Sequence, residues 1–333
     1  MKKSLRVAVI GCGSISANHV AAILASGNEI CALCDIDRAQ AEKLIQKQGL
    51  PTLPIYTDYL TLLDEQKPDA IHVCTPHDLH APISIAALER DVHVLCEKPL
   101  CISLEQLEAL RLAASRTSAQ LGVCQQNRYE PSMLRLKEMT EKGGVAGAFA
   151  FVVWKRDATY YNSGAWRGTV AHEGGGVMIN QALHTLDMMQ WVCGFPTHVT
   201  AHVSNDFLRD VIEVEDTASA SFTLPDGTRT QFYATTSACA DFPVQLQVKL
   251  KTGERIEAQN KVFAVNDRLT LSNDEMVEIG KQVWGTGHKR LIGHFYECIK
   301  NGSHFPIDLE EGSKVVRLIL AMYRSNGENV SVD

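Results

Sequence analysis

Residues 5–16 read LRVAVIGCGSIS: an apolar run from Leu5 to Ile10 that breaks into Gly11-Cys-Gly13-Ser14-Ile15-Ser16. The run predicts a parallel strand covered on both faces, and Ile15 to Ala25 then predicts a helix ending near Gly27. In that strand–turn–helix context the glycines have separate jobs. Gly11 allows the tight turn, Gly13 lets a pyrophosphate approach the backbone, and the helix that begins at Ile15, just after Ser14, points its N-terminus at the phosphates. Ser16 is small enough for the third, close-packed position. A glycine turn can also be merely structural. Asp35, closing the next strand (Glu29 to Cys34), adds the acceptor expected for an adenosine ribose. A carboxylate there repels a 2′-phosphate, so NAD is expected over NADP, although Arg38 lies close by.

Working outward, β-α units repeat. Strands are expected at Ala70 to Cys74, Val92 to Cys96 and Gln120 to Cys124, with helices over Ala39 to Gln48, Asp58 to Gln66, Leu79 to Arg90 and Ser103 to Ser118. This is an α/β Rossmann domain with an open parallel sheet, assigned to residues 1–124. After that the pattern changes. A helix opens at Pro131 and ends at Gly143-Gly144, and strands dominate: 148–155, 197–203, 217–224, 228–235, 244–250 and 255–258. A long helix is expected from Gly175 to Cys193, and two final helices at 289–300 and 310–324. Residues 125–333 therefore read as an α+β domain with a mostly antiparallel sheet, for substrate binding and oligomerisation.

Composition agrees with a two-domain globular protein. The chain has 333 residues, 45% hydrophobic and 21% charged, with 32 Lys plus Arg against 39 Asp plus Glu. The net charge of −7 argues against a nucleic-acid partner. No apolar stretch approaches the roughly 18 residues of a membrane span. The basic start is followed by an apolar run too short for a secretion signal, and ten cysteines are scattered without framework spacing, so a cytoplasmic protein is expected. Cys31 and Cys34 point to opposite faces of one strand and cannot chelate together. His172 near Glu173 and His202 near Asp206 lack a third ligand at fixed spacing, so no metal is expected.

Two further segments fall at the carboxyl ends of strands, where open α/β sheets bind ligands. They are Thr75-Pro76-His77-Asp78-Leu79-His80 and Glu97-Lys98-Pro99. With the Gly11 loop, Asp35, and Glu173-Gly-Gly-Gly176 followed by Asn180, His184 and Asp187, they resemble the Gfo/Idh/MocA oxidoreductases over nearly the whole chain. Lys98 at a crevice mouth could polarise a carbonyl or steady an alkoxide; the resemblance implies that catalytic role, with Glu97 near the nicotinamide and Thr75, Pro76 and His80 beside the cofactor. Asn180, His184, Asp187 and Trp191 share one face of the expected helix, which the resemblance turns toward substrate, with His184 as the proton-transfer group. Many members carry Asp where this chain has Asn180, which orients a hydroxyl but takes no proton. The Asn version resembles a subgroup that includes UDP-sugar-acid dehydrogenases.

Tyr160, Tyr161, Trp166 and Arg167 form an aromatic and cationic loop suited to sugar faces and hydroxyl pairs, with Arg128 and Tyr129 as further candidates. Interface or core packing is the alternative for these rings. The expected activity is hydride transfer between NAD and a secondary alcohol or ketone of a sugar, sugar derivative or cyclitol, in a dimer or tetramer as the family implies. Two alternatives stand beside it: a glycosidase using transient C3 oxidation, and a non-catalytic NAD(P)-binding regulator.

Overall fold

The computed structural model describes residues 4–259, 262–272 and 287–332. The chain divides into two units. One comprises 4–126 and 287–313, the other 127–259, 262–272 and 314–332.

The first unit opens with β1 (Arg6–Ile10), α1 (Ser16–Ala25), β2 (Glu29–Cys34), α2 (Arg38–Gln48), the short β3 (Ile55–Tyr56), α3 (Tyr59–Gln66) and β4 (Ala70–Val73). It continues through α4 (His80–Leu88), β5 (His93–Cys96), α5 (Leu104–Ala114) and β6 (Leu121–Val123). All pairings are parallel, in the order β3-β2-β1-β4-β5-β6. β1 is the centre: Val7, Ala8 and Val9 are fully buried, as an apolar strand covered on both faces must be. The helices are capped as their sequences suggest. Asp37 and Asp58 accept amide bonds at the starts of α2 and α3, and Gly49 ends α2 in the left-handed region. Ser103 Oγ accepts from the Gln106 amide, while Gln106 Oε1 accepts from the Ile102 amide, one residue before the cap.

The second unit contains α6 (Pro131–Gly143), β7 (Val145–Val153), α7 (Ala158–Tyr161), α8 (Val170–Glu173), α9 (Leu183–Cys193), β8 (His198–Ser204), β9 (Thr217–Thr223), β10 (Arg229–Thr235), β11 (Gln245–Leu250), β12 (Arg255–Gln259), β13 (Val262–Val265) and β14 (Arg268–Ser272). Then follow α10 (Gly287–Asn301), α11 (Leu309–Ser325) and β15 (Val330–Ser331). The nine-stranded sheet runs β14-β13-β12-β11-β7-β10-β9-β8-β15 and is antiparallel except where β10 joins β7. Alternating burial along β9 and β10 gives the sheet one buried and one polar face, and α9 packs on β7 of the same sheet.

Two expectations need correction. The first concerns the chain's end. Residues 125–333 do not all belong to the second unit, because α10 returns to the first: Tyr296 bonds His72, and Phe295 and Phe305 pack on Gly122, where a Cβ would lie 2.8 Å from the Phe305 ring. An amphipathic helix announces that it has a buried face but not which sheet receives it. The second concerns the helix expected from Gly175. It begins only at Leu183, with residues 177–181 in turns. The amides of Gly176, Val177 and Met178 are all taken by Glu215 (Oε2 at 2.9 Å, backbone O at 3.1 Å, Oε1 at 3.0 Å), and the Ala182 amide reaches back to Val177 O. Periodicity alone carries no trace of a partner 39 residues away. The apolar face it implied is nonetheless real: Ile179, Leu183 and Leu186 are fully buried and Met189 nearly so.

Candidate functional site

In the first unit, the loop after β1 sits directly on the end of β4. Gly11 has φ +91°, and a Cβ there would lie 2.5 Å from the Cys74 carbonyl, so only glycine fits. Gly13 faces open space, with nothing within 4 Å of where its Cβ would be. α1 begins after Ile15 without a side-chain cap, and Ser16 is fully buried with its hydroxyl on Gly13 O. Asp35 at the end of β2 braces the loop: Oδ2 accepts from Cys12 N–H at 2.8 Å, and Oδ1 accepts from Asp37 N–H at 2.9 Å. The Thr75 hydroxyl, at the carboxyl end of β4, is buried with no hydrogen-bond partner among the described residues. Open room at Gly13, an uncapped helix start and an orphaned hydroxyl are what a dinucleotide's phosphates and ribose would use.

Glu97 leaves β5 with its amide on Val73 O, and the Lys98–Pro99 peptide is cis. Lys98 is half-buried and donates its backbone N–H to Glu97 Oε2 at 3.2 Å. His80 does not face a ligand. It is 1% exposed, with Nδ1 2.6 Å from Pro99 O and Nε2 2.9 Å from Thr75 O. Instead of contacting a cofactor, the ring ties the Thr75-Pro76 loop to the loop carrying Lys98. Burial pushes this imidazole's pKa down, against the pull of the two carbonyls. Behind Glu97 lies a cluster that the sequence reading did not assemble: His19, Glu97, Cys124 and His288, buried, with possible ligand atoms within 4.8 Å of one another.

In the second unit, Glu173 ends α8, buried, and holds two pieces of the site. One carboxylate oxygen accepts from the Gly168 amide and the other from Asn180 Nδ2. The turn that carries Asn180 is fixed from behind by Glu215, which also accepts from Tyr323 Oη at 2.9 Å. The glycines preceding it are obligatory. A Cβ at Gly175 would lie 2.0 Å from Tyr323 Oη, and one at Gly176 would lie 1.9 Å from Glu215 O. His184 stands half-buried in the first turn of α9. Asn180 precedes that helix, so the pair does not share a helical stripe as expected.

The remaining candidates separate clearly. Arg167 lies over the rings of Tyr160 and Trp166 (4.6 and 4.5 Å) and donates to Tyr160 Oη at 2.7 Å, where Gln181 Nε2 also donates at 3.1 Å. These three half-buried side chains form one surface. Tyr161 does not join them: it is 3% exposed, packed with Ile212 and Val214, and its hydroxyl lies 3.3 Å from that of Thr236. It is core, as alternation around a short helix allows. Arg128 is likewise buried, forked onto Asp187 at 2.7 and 2.6 Å and lying over Trp191. Asp187 and Trp191 thus serve a buried ion pair instead of lining a ligand cavity.

A model of the oxidoreductase family with an NAD-binding Rossmann fold matches residues 5–125, and the Gfo/Idh/MocA C-terminal domain matches residues 133–254. The chain belongs to the Gfo/Idh/MocA oxidoreductase family. A D-glucoside 3-dehydrogenase from Escherichia coli K12 is 31% identical over 204 residues, 60% of this chain and 57% of that enzyme, so the alignment spans little more than half of the relative. A D-apiose dehydrogenase from Paraburkholderia graminis is 24% identical over 99% of this chain and 90% of its own. Among solved structures, the WlbA dehydrogenase from Chromobacterium violaceum, in complex with NADH and UDP-GlcNAcA, superposes with TM-score 0.85 at 26% identity, over 98% of this chain and 96% of that one. Levoglucosan dehydrogenase in complex with NADH gives TM-score 0.88 at 19% identity over 99% and 100%, a likeness of fold. Among the described residues no helix is long and apolar enough to cross a membrane.

Proposed function

We propose that the protein is an NAD-dependent dehydrogenase or reductase acting on a secondary alcohol or ketone of a sugar, a sugar derivative or a cyclitol. The observation that carries this reading is the Glu173 clamp. A buried carboxylate fixes the amide of Asn180, one turn before His184, and also the end of the loop that bears Tyr160, Trp166 and Arg167. With its Nδ2 bound to Glu173, the Asn180 amide is held in one orientation, suited to positioning a substrate hydroxyl. Stacked rings with a guanidinium suit a polyhydroxylated ring with an anionic or hydroxyl-rich edge. The relatives' names, covering glucoside, apiose and UDP-GlcNAcA, support the same class.

Gly11, Gly13, Ser14, Ile15, Asp35, Thr75 and Pro76 would hold NAD, which when bound supplies the hydride acceptor or donor. In the oxidative direction the role of His184 is to take a hydroxyl proton, and that of the Lys98 ammonium is to steady developing negative charge. Asn180 cannot take a proton, so His184 carries the transfer without an acidic relay at position 180. The protein is proposed to work in the cytoplasm as a dimer or tetramer. The test is a panel of pyranosides, sugar acids and cyclitols with NAD and NADP, followed by nicotinamide absorbance. His184→Ala should lower kcat by about 10²- to 10⁴-fold with NAD affinity retained. Aglycone release without net NADH would point to a glycosidase, and wild-type turnover by His184→Ala would refute the proton-transfer role.

A further inference from the structure

The cluster behind Glu97 forms a hydrogen-bonded line. Glu97 Oε1 lies 2.8 Å from His19 Nε2 and 3.4 Å from His288 Nε2. His19 Nδ1 lies 2.6 Å from His72 Nδ1, and His72 Nε2 lies 2.6 Å from Tyr296 Oη. His19 and His72 are fully buried, Tyr296 is 1% exposed and Glu97 5%. All belong to the first unit, and α10 contributes both His288 and Tyr296.

With both rings neutral, the bonds along the line from Tyr296 to Glu97 run in one direction. Burial alone would push the Glu97 carboxyl up, but the bond to His19 and the nearby His288 ring bring it well below the usual range. Burial pushes His19 and His72 down, so both rings are neutral. A neutral imidazole has one N–H. His19 must spend its own on Glu97, so its Nδ1 accepts from His72, and His72 Nε2 in turn accepts from the Tyr296 hydroxyl. Cys124 beside Glu97 keeps its proton, its thiol pushed well up by burial. The result is an anion with no room to reorient.

Such an anion, held by its hydrogen bonds, favours a cation that comes to meet it. The strand order β2-β1-β4-β5 says where it stands. Asp35 ends β2 on one side of the Gly11 loop, and Glu97 ends β5 on the other. With the adenosine ribose on Asp35 and the pyrophosphate on the loop, the nicotinamide end falls over β4 and β5. Oxidised nicotinamide carries a positive charge and the reduced ring carries none.

We propose that this line of side chains holds Glu97 as a fixed anion at the nicotinamide end of the crevice, so that the protein favours the oxidised cofactor over the reduced one, with His19, His72, Tyr296 and His288 as positioning residues acting through Glu97. The inference rests on the dinucleotide reading and concerns binding, not turnover. It is tested on the purified full chain by measuring dissociation constants for NAD⁺ and NADH by calorimetry. Glu97→Gln should shift the ratio of the two constants toward NADH by about tenfold, equivalent to about 1.4 kcal/mol. His19→Leu should shift it the same way, and His19→Gln, whose amide N–H replaces the Nε2–H donor, should restore it. Glu97→Gln is nearly isosteric and keeps the test available if His19→Leu fails to fold. An unchanged ratio in Glu97→Gln, or equal weakening of both nucleotides in His19→Leu, overturns the inference. So does one equivalent of bound metal that His19→Leu loses, since a ligating Nε2 cannot donate to Glu97. A wild-type chain that binds neither nucleotide overturns the dinucleotide reading and this inference with it.

Discussion

Asn180→Asp restores the residue that many relatives carry, yet in this chain it should be harmful in a pH-dependent way. The wild-type amide donates Nδ2–H to a buried carboxylate, Glu173. Asp at 180 replaces that donor by an oxygen facing another oxygen. Two unit charges about 4 Å apart at an effective dielectric constant of about 20 repel by about 4 kcal/mol. That repulsion raises the proton-binding midpoint of the pair well above the ordinary carboxylate range. Above the ordinary carboxylate range the folded variant holds a proton that the unfolded chain has released, so its stability falls as pH rises until that proton is lost. Unfolding free energies of variant and wild type should agree near pH 4 and diverge by up to about 4 kcal/mol near pH 8. In the same range kcat/KM should decline, because the repelled carboxylates release the Gly168 amide and with it the Arg167 loop. Adding Glu173→Gln removes one charge and should abolish the pH dependence. If Asn180→Asp tracks the wild type from about pH 4 to about 8, the clamp is not as described.

Asp35→Ala should weaken NAD binding and relax discrimination against NADP, because it removes both the ribose acceptor and the brace on Cys12 N–H; an unchanged NAD/NADP affinity ratio refutes the assignment. Arg167→Ala should raise KM more than it lowers kcat, since the guanidinium lies over Tyr160 and Trp166 to present a binding surface; equal losses in kcat and kcat/KM would place Arg167 in transition-state stabilisation. Burial lowers the pKa of His19, His72 and His80. Below about pH 6.5 the unfolded chain takes up protons that these rings refuse, so stability should fall as the medium is acidified through that value. A melting temperature that stays flat from about pH 8 to about 5 would show that these rings protonate in place.

What the sequence makes legible follows from the range of the interaction that decides it. The Gly11 turn is local: strand, glycine, helix, with the Cys74 carbonyl waiting where a Cβ would go. Asp35 and Lys98 are nearly as local, because a strand's carboxyl end is visible from its apolar run. Glu215 and Tyr323 are not local, and they decide where α9 begins. The periodicity from Gly175 onward is true of burial and silent about hydrogen bonding, since a turn whose amides are taken by a distant carboxylate can bury the same apolar residues as a helix. The same blindness explains Arg128 and Tyr161. A guanidinium or a ring in a plausible loop looks like a ligand group until its partner is known, and the partners, Asp187 and Thr236, lie 59 and 75 residues away. His19 and His72 are the opposite case: each alone reads as an ordinary core residue. Only the fold, by laying α10 beside β4, turns them into a line that ends on Glu97, and so ties a residue the motif marks to four that no motif does.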